Sequence, residues 1–123
     1  MSVLSPEVLR EYRQTWRLRR SAVSAAQAER RQRAWQTAQQ AAQILREQFG
    51  AEKVRVFGSL LEPARFDRFS DIDLAVWGLS GKRYFAAVGR LQGLSAEFSI
   101  DLVAFEQASP PFQAVILQEG RDL

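Results

Sequence analysis

Asp71, Asp73 and Asp101 are the side chains of this 123-residue chain best suited to chemistry, and two of them stand one residue apart in "SDIDLAV". Strands are poor in Asp, and paired carboxylates repel, so this spacing calls for open water or a cation. Residues two apart on a strand share a face, which sets Asp71 and Asp73 side by side, about 6–7 Å apart. A divalent cation would turn that repulsion into half a coordination sphere. "SIDLV" puts Asp101 on the face opposite Ile100 and Leu102. If its strand lies beside that of Asp73, the three form an acidic triad. A calcium loop fits poorly, because no Gly follows Asp73 and Ala75 stands where a ligand would be needed. The plain alternative is a solvated strand start, with Ser70 or Asp71 capping a turn.

Upstream, "VRVF" runs into Gly58 and Ser59. A glycine lets backbone approach a ligand closely, and the following N–H groups with a hydroxyl can cradle a phosphate. A strand, Gly-Ser, a loop, Ser70-Asp71-x-Asp73 and a second strand together supply a phosphate cradle and metal ligands. That is the outline of a nucleoside triphosphate site. The chain has no Cys and no His. This excludes disulfides, zinc held by Cys or His, Ser-His-Asp triads and imidazole acid–base chemistry. Carboxylates, hydroxyls, Lys and Arg are left, with a hard cation such as Mg²⁺ as their natural companion.

The elements that must hold these residues can be read from the pattern. Residues 7–49 contain no Gly or Pro and are rich in Ala, Gln, Arg, Glu and Leu, which are strong helix formers. Ser5-Pro6-Glu7 reads as an N-cap, a first-turn proline and a first-turn acid, and Gly50 as the stop. Unbroken, this helix would be roughly 65 Å long. Ala34, Ala38, Ala41, Leu45 and Phe49 form a stripe that must pack on the domain beyond Gly50, widened by Trp35, Ala42 and Ile44. Leu9, Tyr12, Trp16 and Val23 form a sparser one. Residues 1–50 are therefore expected to be a helical arm, either projecting or bent near Ser21 to Ser24, and an exposed Tyr12 and Trp16 would need a partner surface.

Beyond Gly50, "KVRVFG", "DIDLAVWG" and "EFSIDLVAF" read as strands and "PARFDRFS" as a loop. "GKRYFAAVGRLQGLS" reads as a helix with Phe85, Val88 and Leu91 inward. Ser109 and its two prolines cap a last short helix. Lys82, Arg83 and Tyr84 read as a solvated helix start, and "EGRDL" suggests no chemistry. The expected order is helix–strand–strand–helix–strand–helix, with residues 51–123 as the domain that carries the site. Residues 1–50 hold nine Arg against four Glu, a charge of +5, whereas residues 51–123 hold eight Lys or Arg against ten Asp or Glu, a charge of −2. No apolar run is long enough for a membrane span, and no signal-peptide pattern opens the chain, so the cytoplasm is the expected compartment.

"FGSLLEPARFDRFSDIDLAV" resembles the signature of the minimal nucleotidyltransferases of the polymerase-β-like superfamily, and the likeness extends over residues 53 to about 105. It implies an α+β fold with a mixed sheet and flanking helices. It also implies two Mg²⁺ ions and transfer of a nucleoside monophosphate from ATP or another NTP, with release of pyrophosphate. By position, Gly58 and Ser59 would hold the β- and γ-phosphates, with Ser70 in the nucleotide site. Asp71 and Asp73 would bind both metals, and Asp101 would bind one and help deprotonate the acceptor. Many members are Arg-rich after Gly-Ser, where this chain has Leu60, Leu61 and Glu62. Arg65 and Arg68 then supply the phosphate-facing charge.

Members of this size are often encoded beside a HEPN-domain protein, an all-helical RNase toxin, and act as its antitoxin. The resemblance therefore implies a protein acceptor, a toxin tyrosine that becomes AMPylated, with the arm as docking element or homo-oligomer contact. Two rivals stay open. One is an antitoxin that works by occlusion with an idle site. The other is an RNA-directed transferase using the arm's arginines, although these are spread among Gln and Glu and read better as a solvated or partner-binding face.

Overall fold

A computed structural model describes residues 5–123; the first four residues of the expected arm, 1–4, lie outside them. Helix α1 runs unbroken from Pro6 to Phe49. Ser5 caps it, its hydroxyl accepting from Val8 N at 3.3 Å, and Gly50 ends it, donating to the Arg46 carbonyl at 3.2 Å. After it come β1 (Lys53–Phe57), a 3-10 turn (Gly58–Leu61), β2 (Ile72–Trp77), α2 (Gly81–Gln92), β3 (Ile100–Ala104), a short 3-10 turn, α3 (Pro110–Glu119) and β4 (Arg121–Asp122). The sheet has the order β3-β2-β1-β4. β1 is antiparallel to β2 and β4, while β2 and β3 are parallel. This is a mixed four-stranded sheet with three helices, an α+β architecture, in agreement with the expectation from sequence.

The sheet is covered on both faces. On one, Val54, Val56, Ile72, Leu74, Val76, Ile100 and Leu102 pack against α1 and α2. The alanines Ala34, Ala38, Ala41 and Ala42 let the C-terminal half of α1 approach closely. On the other face, Phe57, Ala75 and Ile116 of α3 form a smaller core with Trp77, Val103 and Phe105 against it. Residues 6–29 of α1 are all exposed, so the arm projects rather than bends back. No described helix is long and apolar enough to cross a membrane.

Three details depart from the sequence pattern. Phe85, expected inward, is 72% exposed, and the inner face of α2 is instead made by Tyr84, Ala87, Val88 and Leu91. Arg83 and Tyr84 are not a solvated helix start: Arg83 donates to the Phe49 carbonyl at the end of α1, and the Tyr84 hydroxyl donates to the Leu102 carbonyl at 2.6 Å. "EGRDL" supplies β4, whose Asp122 accepts from Arg55 Nε at 3.0 Å. The same guanidinium caps the end of α3 by donating to the Leu117 carbonyl at 2.8 Å. Two residues of strand carry no readable periodicity, which is why the pattern missed it.

Candidate active site

The strand register brings two of the three carboxylates together. Asp73 lies opposite Asp101 across the parallel β2–β3 ladder and opposite Phe57 across the antiparallel β1–β2 ladder. Residues facing each other across a ladder point to the same side of the sheet, so both carboxylates project beside α3. Asp71 precedes β2 by one residue and is exposed, as is Asp101, while Asp73 is half-buried. Phe57, whose ring meets that of Phe112 edge-on at 5.6 Å, removes water from its side.

Burial is the main cause that pushes Asp73 up from the ordinary value of 3.8 to about 6, followed by the charges of Asp101 and then Asp71. None of the three takes part in an ion pair among the described residues. The donors are all oxygen, anionic and uncompensated, which suits a hard divalent cation. No group of three or more carboxylates among the described residues is gathered closely enough to form a ready-made cage. The fit to Mg²⁺ therefore rests on the chemistry of the donors and on unrelieved charge.

The shift has a direction in pH. Asp73 holds its proton more tightly folded than unfolded. Its stabilising contribution is thus complete below about pH 4 and lost as pH rises through about 6. Discounted for its partial exposure, the ionised carboxylate costs the metal-free protein about 1–2 kcal/mol at neutral pH. Asp73→Asn is therefore expected to raise the metal-free Tm at pH 7.5 and to leave it unchanged at pH 4. Thermal melts in a chelator check this, and an equal gain at both pH values would contradict it.

Gly58 has φ +79°, and a Cβ placed on it would overlap Asp73 Oδ2. Only glycine allows the backbone after β1 to lie this close to the half-buried carboxylate. Ser59 comes next in the 3-10 turn, half-buried, with no side-chain hydrogen bond among the described residues, so its hydroxyl is free for a ligand. Ser70 is otherwise engaged. Its hydroxyl accepts from Asp67 N at 3.0 Å and donates to Asp67 Oδ1, and so shapes the loop entering β2. Arg65 pairs with Glu62 at 3.6 Å and Arg68 lies over the Phe69 ring at 4.7 Å, so neither is directed at the carboxylates. The two leucines after Gly-Ser have a packing reason: Leu60 is fully buried in the main core and Leu61 packs against it.

Two residues that shape the site leave no mark in the sequence pattern. Arg30 of α1 donates to the Arg68 carbonyl at 3.0 Å, pairs with Glu97 at 3.3 Å and lies over the Phe98 ring. Arg31 donates to the Leu60 carbonyl at 3.0 Å. They tie the helix to both ends of the segment that joins Gly58 to Asp71. Their partners lie tens of residues away, so local spacing holds no trace of them. Arg30→Ala is expected to cost about 1.5–3 kcal/mol, the worth of hydrogen bonds made by a charged group. Urea unfolding measures it, and a loss below about 0.5 kcal/mol, as for an ordinary surface site, would show that the tether does not matter.

Residues 39–123 match the model of the polymerase β nucleotidyltransferase family. Among solved structures, a chain of a mutant MntA–HpeT toxin–antitoxin is 20% identical, covering 69% of this chain and 70% of that one with a TM-score of 0.58. A chain of the tri-AMPylated Shewanella oneidensis HEPN toxin in complex with MNT antitoxin is 20% identical, covering 72% and 70%, with a TM-score of 0.55. A protein assigned as a minimal nucleotidyltransferase is 25% identical, covering 81% and 95%, with a TM-score of 0.53. No curated protein matches the chain at a significant level.

Proposed function

The chain belongs to the polymerase β nucleotidyltransferase family, and from that premise we propose that it transfers AMP, or another nucleoside monophosphate, from an NTP to a hydroxyl of a partner protein. The observation that carries the reading is the register that sets Asp73 beside Asp101 and under Gly58. When bound by Asp71, Asp73 and Asp101, Mg²⁺ ions would supply Lewis-acid neutralisation of the phosphates and of the leaving pyrophosphate. Gly58 and Ser59 present a backbone N–H and a hydroxyl to the β- and γ-phosphates, with Arg65 and Arg68 turning in from the loop when the nucleotide arrives. Ser70 holds that loop in shape. Asp101, exposed at the sheet edge, accepts the proton of the acceptor hydroxyl. The hydroxyl oxygen bonds to the α-phosphorus, and the bond to pyrophosphate breaks.

Residues 51–123 carry this chemistry, with residues 1–50 as an arm for a partner, in the cytoplasm. In fold the chain is similar to structures named for a toxin and its antitoxin, one of them with an AMPylated HEPN toxin, and the role we put forward is that of an antitoxin whose acceptor is a tyrosine of a HEPN-domain toxin. A second reading is favoured by the exposed apolar groups of the arm: neutralisation of the partner by binding alone. To separate them, the partner would be titrated with wild-type protein and with Asp71→Asn/Asp73→Asn, with its RNase activity as readout. Transfer requires that the variant fail to neutralise at catalytic ratios, whereas occlusion requires that both neutralise only at equimolar ratio.

A further inference from the structure

Most helical stability in proteins comes from packing of an amphipathic face, yet residues 6–29 of α1 are all exposed. The arm's apolar groups are ordered. Leu9, Tyr12, Trp16 and Val23 recur at three-, four- and seven-residue intervals and so share a face, with the Tyr12 and Trp16 rings edge-on at 6.4 Å. Trp16 and Val23 wall a shallow cleft of about 380 Å³ with Arg19 and Arg20. Val23 also walls the next cleft, of equal size, together with Phe69. Phe69 is 77% exposed and stands two residues before Asp71. One apolar strip therefore runs from the arm to the loop that leads into the carboxylates.

Charge selects what covers it. From Leu9 to Ala28 the helix carries Arg10, Arg13, Arg17, Arg19 and Arg20 against one acidic residue, Glu11. A second copy laid on this face would set arginines against arginines, which disfavours self-pairing. Nucleic acid would answer the arginines but leave Leu9 and Val23 without a partner. An amphipathic helix with an apolar seam and acidic flanks satisfies both. We infer that the arm and Phe69 form a docking surface for an acidic amphipathic helix of the acceptor protein, which is thereby held at the loop that leads into the carboxylates. The surface stands on its own geometry; its use for delivery rests on the transfer reading.

The probes are two synthetic helical peptides with the same leucine seam, one flanked by Glu and one by Lys, and a single-stranded RNA, each monitored by fluorescence anisotropy. The Glu-flanked peptide should bind at least about tenfold more tightly than the Lys-flanked one. Val23→Asp should weaken it by about tenfold or more, and Arg19→Glu/Arg20→Glu should reverse the preference. These three side chains are exposed, and circular dichroism confirms that each variant folds. Asp71→Asn/Asp73→Asn should bind the peptide unchanged, so a failure of transfer is told apart from a failure of docking. Equal binding of both peptides, tighter binding of the RNA, or a dimer that Val23→Asp dissolves would overturn the inference.

Discussion

Replacing Asp71 and Asp73 together by Asn is expected to lower nucleotidyl transfer by at least about 10³-fold while the fold survives. The change keeps size and hydrogen-bonding oxygen but removes the charge that holds a hard cation. The ladder is unaffected, because Asp73 pairs with Phe57 and Asp101 through backbone. Stability moves the other way. With the cost of burying an ionised Asp73 removed, and with it the lesser repulsion from Asp101 and Asp71, the variant should melt no lower than the wild type in a chelator at pH 7.5, since these are the causes that push Asp73 up to about 6. Added Mg²⁺ should raise the Tm of the wild type and not that of the variant. A variant that still transfers, or a wild type whose Tm ignores Mg²⁺, would contradict the roles given to these residues.

The second large effect is expected at Gly58. Ala there must adopt φ +79°, and its Cβ must displace the Asp73 carboxylate. The strained backbone costs of order 1–3 kcal/mol. Shifting a reacting group by about 1 Å can cost 10²-fold in rate, so transfer should fall by at least that much. Gly81→Ala separates the two causes. Gly81 also has positive φ, at +59°, but open space lies where its Cβ would go. It should lose stability and keep transfer. Urea unfolding and initial transfer rates on both variants decide the matter, and equal loss of rate in both would show that strain, not the encounter with Asp73, governs the site.

The sequence was readable where chemistry and periodicity agree. Val54 and Val56, and Ile72, Leu74 and Val76, alternate because one face of each strand is buried, and that alternation fixed the side on which Asp73 projects. Asp101 was placed by the same parity on its own strand. The Ala34–Leu45 stripe predicted which half of α1 is buried, and the small, polar residues that begin at Ser21 left a straight arm and one bent near Ser21 to Ser24 both open. What stayed hidden depends on contacts made across long stretches of chain. Arg30 and Arg31 looked like solvated charge and are tethers for the site loops. Ser70 could be read as a turn cap or as a hydroxyl of the nucleotide site, and only its bonds to Asp67 show how it sits in its turn. Phe85 fits an inward position by spacing alone, but Tyr84 takes that place because its hydroxyl reaches the Leu102 carbonyl.

The most direct measurement of nucleotidyl transfer compares two labels. The pure protein is incubated with Mg²⁺ and the candidate partner, or with host lysate, and with ATP carrying the label on either its α- or its γ-phosphate. Transfer of AMP puts label on a protein band from α-labelled ATP and none from γ-labelled ATP, with pyrophosphate released. Label from the γ-position would mean phosphoryl transfer, and label from neither, with the partner tightly bound and neutralised, would mean that the carboxylates do not act as a nucleotidyltransferase site.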